Sequence, residues 1–195
     1  MVDTIAYWLI NKRTLMFSYV IRVTTIILTV LITTKSYANC MQEEKIKQGV
    51  NYLSLINHER KDLAILSFFD NNTSHPNRGM SFYIKNSNGY SIIPVPNSDM
   101  FIWFDYSLSA SRINIFDYRL YHHPKGKKLI SVQKRGDDLT AMQPITITVY
   151  KLAESHDDPG VPPYSWVIEK TVTTPEKYGS AYEVLDDIRY LCSVL

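Results

Sequence analysis

The chain has little with which to do covalent chemistry. It holds two cysteines, Cys40 and Cys192, and no G-x-S-x-G nucleophile elbow. One S-x-x-K occurs, Ser131-Val132-Gln133-Lys134, at what reads as a strand end, where residues three apart leave opposite faces. With no S-D-N or K-T-G beside it, the match reads as chance. The histidines, His58, His75, His122, His123 and His156, include no helical pair three or four apart with a third ligand, so no zinc site is read. Residues 57–62 (NHERKD) place Arg60 where a calcium loop wants glycine. His156-Asp157-Asp158 reads as surface loop. No catalytic residue, metal or cofactor is therefore expected, and the reading is a non-enzyme.

The chain also lacks an excess of charge and a long apolar run. Residues 21–33 (IRVTTIILTVLIT) have the length of a secretory h-region and fall short of the ~20 residues a membrane span needs. Lys12, Arg13 and Arg22 supply the basic side, and Ser36-Tyr37-Ala38 predicts cleavage after Ala38. Residues 1–38 thus read as a signal peptide. Met16 is a second candidate start, and a retained anchor is the alternative. Tyr37-Ala38-Asn39 before Cys40 lacks the small residue of a lipoprotein signal. The leader takes Lys12, Arg13, Arg22, Lys35 and Asp3 with it, so the whole-chain 21 bases and 19 acids become 17 and 18 in residues 39–195. A balance near −1 argues against nucleic acid or an anionic membrane as partner. In an oxidising compartment, one cysteine near each end of this segment reads as a single disulfide, Cys40 to Cys192.

Strand signals fill most of residues 39–195. Residues 62–85 (DLAILSFFDNNTSHPNRGMSFYIK) read as two strands joined by a polar connection; Met80, Phe82 and Ile84 share one face, Ser81 and Tyr83 the other. Further strands are predicted at 48–56, 89–95, 101–104, 113–121, 129–132, 145–152 and 166–174. Pro94 and Pro96 put the end of the 89–95 run at an edge or bend. Residues 41–47 read as an approach segment or one helical turn, and 122–128 as a basic hairpin turn. Only the tail is helical: Val184, Leu185, Ile188 and Leu191 form one stripe, with Ser180 as its cap. The fold expected is mainly β, a single antiparallel sandwich or barrel-like domain over 39–195 with one C-terminal helix.

Two features offer a contact surface. The connection from Asp70 to Arg78 carries Asp70, Asn71, Asn72, Ser74, His75 and Arg78, and loops held between strands often bind; a plain solvated hairpin loop is the competing reading. Phe101, Trp103, Phe104 and Tyr106 lie within six residues. They read either as core or, through Trp103 above all, as an exposed docking surface.

Several stretches together resemble a known family, the periplasmic carbapenem intrinsic-resistance proteins CarF and CarG of antibiotic-producing Gram-negative bacteria. They are 62–84 with its DNNTSHP loop, 91–96 (SIIPVP), 116–120 (FDYRL), and 145–152 followed by PGVP at 159–162. The similarity spans about residues 48–185. Family members often carry N-x-D-G-x-x-D at the place of residues 57–62. This chain keeps Asn57 and Asp62 but has Glu59 and Arg60 between, which counts against a metal-linked role there. The resemblance implies a periplasmic protein that protects its host from a β-lactam without hydrolysing it, by binding the drug or shielding its target. The alternative is an immunity or inhibitor protein that neutralises a toxin or cell-wall enzyme by binding it.

Overall fold

Alternation decides the architecture. In the computed structural model, which describes residues 40–55, 63–71, 76–108, 113–155, 160 and 162–195, the strands form two antiparallel sheets. The first runs β2 (Gly49–Ser54), β3 (Leu63–Asp70), β4 (Arg78–Asn86), β5 (Gly89–Ile93), with β6 (Trp103–Phe104) also on β4. The second runs β1 (Gln42–Glu43), β8 (Asn114–His123), β9 (Gly126–Lys134), β10 (Gln143–Glu154), β11 (Tyr164–Tyr178), with β7 (Tyr106–Ser107) also on β8. Neither sheet closes into a barrel among the described residues, so of the two expected forms the sandwich is observed. The expected leader and residues 56–62 lie outside the described residues. Residues 41–195 make one compact unit.

Between the sheets lies the main core. Met80, Phe82 and Ile84 enter it from β4 and Ile93 from β5; Tyr118, Leu120, Leu129 and Trp166 meet them from the second sheet. Phe82 packs edge-on to Trp166, ring centroids 5.0 Å apart. Strand β8 is buried on both faces. Its other face, with Ile130, Val132, Ile147 and Val149 of β9 and β10, belongs to a second apolar layer with Val184, Leu185 and Leu191 of the tail. Tyr121 Oη donates to the Leu185 carbonyl at 3.2 Å, and Lys170 Nζ donates to that of Val194.

The tail departs from the single helix expected. It forms α1 (Tyr182–Asp186) and α2 (Ile188–Val194), broken at Asp187, whose ψ of 77° is not helical. Asp187 is better used as a cap: its side chain accepts from Tyr190 N at 3.0 Å, meeting a donor that the start of α2 leaves open. Ser180 does not cap α1; its Oγ accepts from Asn114 N at 2.7 Å and ties the tail to β8. Cys192 sits in α2, and neither cysteine is free: the expected Cys40–Cys192 disulfide is formed.

Three further readings are corrected. Residues 41–47 are no helical turn, since Gln42 and Glu43 pair with His122 and Tyr121 as a short edge strand. The basic hairpin is tighter than residues 122–128, its ladder running to His123 opposite Gly126. The strand expected over 101–104 is shorter, Trp103–Phe104, and a second short strand, Tyr106–Ser107, follows it. The chain leaves the first sheet at Phe104 and joins the second at Tyr106, a corner of the kind that lets strands switch sheets.

Candidate functional site

A gap in the edge of the second sheet forms the site. Strand β8 pairs with β9 along one flank. On the other flank, β7 reaches only Asn114 and Phe116, and β1 only Tyr121 and His122. Between them no strand is paired among the described residues, although Glu44 N extends the β1 side by donating to Leu120 O at 2.8 Å. A cleft of about 160 Å³ opens there. Glu43, Glu44 and Ile46 line it from the β1 side, and Arg78 and Asp105 from the β4–β6 side. Met80, Tyr118 and Leu120 also line it.

Arg78 is held at four points. Its backbone N donates to Asp105 Oδ1 at 2.6 Å and its Nε to Asp105 Oδ2 at 3.2 Å. Its carbonyl accepts from Asp105 N at 3.1 Å and from Tyr118 Oη at 2.7 Å. The Tyr118 hydroxyl also lies 2.7 Å from the Trp103 carbonyl, so its one proton serves either acceptor. Asp105 is buried while the Arg78 side chain is 55 % exposed. One N–H of the guanidinium is thus engaged by a buried carboxylate while the group itself reaches solvent.

Around this clamp the charges are matched. Arg119 bridges Glu43 at 3.2 Å and Asp186 at 2.8 Å, and Glu44 pairs with Lys127. Burial, reinforced by the Asp105 and Asp117 carboxylates, pushes the Tyr118 phenol far above the usual tyrosine range, so it stays protonated. Asp117 lies beside it, accepting from Tyr118 N at 2.7 Å. Burial raises the Asp117 pKa above its ordinary 3.8 despite that bond and the nearby Arg78.

The Asp117 shift gives a pH prediction. A carboxyl whose folded pKa is raised favours the folded state most below its unfolded value, and that contribution is lost as pH rises through the folded value. Asp117→Asn keeps an oxygen for Tyr118 N and carries no charge. It is expected to be the more stable protein near neutral pH and to lose this part of the decline that begins near pH 3.8. Urea unfolding of both proteins at a series of pH values tests this, and parallel curves would refute it.

Of the residues singled out from sequence, the structure places three at the root of the connection. Asp70 and Arg78 are ladder partners closing β3 and β4. Gln48 Nε2 donates to Asp70 Oδ2 at 3.1 Å. Asn71 N donates to Asn77 O at 3.2 Å, and Asn71 Oδ1 accepts from Asn77 N at 3.1 Å. Asn72, Ser74 and His75 lie outside the described residues.

Trp103 is corrected. At 3 % exposure it belongs to the core, its ring 5.1 Å from that of Tyr150, and it offers no docking surface. Alternation gives that role to its neighbours, because Phe104 and Tyr106 point outward, joined by the exposed Met100 and Phe101. Phe69 meets Phe104 edge-on over Gly79. A Cβ on Gly79 would lie 2.7 Å from the Phe69 ring, so the glycine is what lets the two rings close over the strand.

Sequence reasoning missed Asp105, Asp117, Tyr118 and Arg119 as site residues. A signal existed for the first. Alternation already puts Asp105 on the side of Trp103, and an inward carboxylate in an aromatic stretch requires a partner.

Fold and cleft together define a two-sheet antiparallel β-sandwich with an ion-paired, hydrogen-bonding recess at an open sheet edge. The chain belongs to the CarG-like family: the family described as carbapenem resistance protein CarG-like matches residues 46–187, bearing out the resemblance. Among solved structures it is similar to one described as the crystal structure of CarG, with 43 % identity and a TM-score of 0.67, covering 75 % of this chain and 94 % of that one. No curated protein sequence matches it.

Proposed function

We propose that this protein acts in the periplasm and protects its host from a carbapenem by binding without hydrolysis. The observation that carries the reading is Arg78. Its guanidinium is pinned at one edge by Asp105 and exposed at the other. An arginine so held recognises a carboxylate through its remaining N–H groups at little cost in side-chain entropy. Carbapenems carry such a carboxylate. Four other lining groups support holding over turnover. The Tyr118 hydroxyl is kept protonated against backbone carbonyls, and Glu43, Glu44 and Asp105 are each tied to a cation.

A second reading, an immunity or inhibitor protein, is favoured by the exposed Met100, Phe101, Phe104 and Tyr106 beside β4, a surface suited to a protein partner. Expression in a carbapenem-sensitive strain, with the drug assayed in the medium, separates the readings. Survival with intact drug is the expected result. Disappearance of the drug would replace binding with hydrolysis. Absence of any survival benefit would sink the protective role and leave the inhibitor reading, which a pull-down from periplasm tests.

A further inference from the structure

The β8–β9 hairpin ends at a second cavity, of about 340 Å³, with a cationic lining. Lys125 comes from the turn, Lys127 and Lys128 from the start of β9, and Lys151 from β10, directly opposite Lys128 in the ladder. Like charges facing each other across a ladder repel, so this arrangement weakens the sheet unless an anion answers it. Gly126 closes the turn at φ 107°, and a side chain added there would meet nothing within 4 Å. Leu55 and Leu152 supply an apolar wall.

Two carboxylates answer part of the charge: Glu44 on Lys127 and Glu169 on Lys128. Glu169 owes its position to a bulge. Val149 pairs with Lys170 and Tyr150 with Ile168, leaving Glu169 as the extra residue of β11. Bulges re-aim side chains, often beside binding sites. Among the described residues Lys125 and Lys151 form no ion pair, and the described side chains around the cavity carry a surplus of two positive charges. His123 adds none in its neutral form: Lys125 N donates to its Nδ1 at 3.0 Å, a bond only the neutral ring accepts. Burial, with Lys128 and Lys125 nearby, holds its pKa below the ordinary value. Glu169 is held ionised by its bond to Lys128.

We propose that this cavity binds a small organic dianion with the chemistry of a phosphate monoester. The charged end sits among Lys125, Lys128 and Lys151, and the carbon portion lies against Leu55 and Leu152. Glu169 is the built-in competitor that holds Lys128 until the ligand displaces it. The site meets the Arg78 cleft at the Lys127–Glu44 pair but does not depend on the reading given to that cleft.

Phenyl phosphate, with inorganic phosphate as comparison, is the probe for calorimetric and NMR titration of the protein. Saturable binding is expected, with amide shifts concentrated at residues 125–128 and 151, and phenyl phosphate the tighter of the two. Lys151→Gln, at an exposed position that leaves the core intact, should weaken binding about tenfold. Glu169→Gln should tighten it several-fold by removing the competitor. Shifts spread over lysines elsewhere without saturation would overturn the site. Affinity unchanged in both variants would overturn the roles given to Lys151 and Glu169, and with them the proposal. Inorganic phosphate binding as tightly as its phenyl ester would overturn the organic ligand.

Discussion

Reduction of the Cys40–Cys192 bond is expected to cost the fold about 5 kcal/mol, because the bond closes a loop of roughly 150 residues and removes that much loop freedom from the unfolded chain. Domains of this size are stable by about 5–15 kcal/mol in total, so the reduced protein should be marginal. The loss should not fall evenly. Strand β1 is two residues long, starts two positions after Cys40, and among the described residues has β8 alone as a ladder neighbour. Without the tether, the Glu44 N to Leu120 O bond and the Lys127–Glu44 pair should open first, taking one wall of the cleft with them. Urea unfolding of the oxidised protein, the reduced protein and Cys192→Ser measures the first effect. Amide exchange at Glu44 and Leu120 measures the second. A stability difference below about 1 kcal/mol would place the cost elsewhere than in unfolded-chain freedom.

How far the amino-acid sequence encodes these features legibly depends on the kind of signal each one leaves. The long strands are legible, because a half-buried strand writes its faces into alternate residues: Met80, Phe82 and Ile84 inward is both the pattern and the observation. The short elements are not. Gln42–Glu43 and Tyr106–Ser107 are strands only because β8 offers them a flank, and two residues carry no period. The break at Asp187 is hidden too, since Val184, Leu185, Ile188 and Leu191 keep helical spacing across it. At the site, the sequence points to the polar connection, and the structure adds what that connection is fastened to. The link from Arg78 to Asp105 spans 27 positions and that from Arg78 to Tyr118 spans 40, separations that no local pattern encodes. Trp103 misleads for the opposite reason. Aromatic density says that a segment is apolar on average, and only the pleat says which ring is inside.

Asp105 should therefore be a highly sensitive polar position. Asp105→Ala removes both oxygens that Arg78 bonds and leaves the Arg78 N–H without the acceptor that holds it at 2.6 Å. A lost charged acceptor at a buried position costs about 2–4 kcal/mol. Asp105→Asn is gentler. Its oxygen still takes the Arg78 N–H while the ion pair is gone, for a loss nearer 1–2 kcal/mol because Arg78 is more than half exposed and solvent screens it. The order of the two, read from urea midpoints, tests the clamp itself. The functional test adds Arg78→Ala, which keeps the backbone bonds to Asp105 and Tyr118 and deletes the guanidinium. If Arg78 receives the drug's carboxylate, Arg78→Ala should abolish survival in the carbapenem challenge with the protein still folded. Asp105→Asn should then weaken survival by releasing the guanidinium from its fixed angle. Arg78→Lys should fail as well, since a lysine supplies the charge without the planar fork. Full survival with Arg78→Ala would remove the cleft from the mechanism and move attention to the aromatic surface of Phe101, Phe104 and Tyr106, where alanine substitutions would then be the ones to abolish protection.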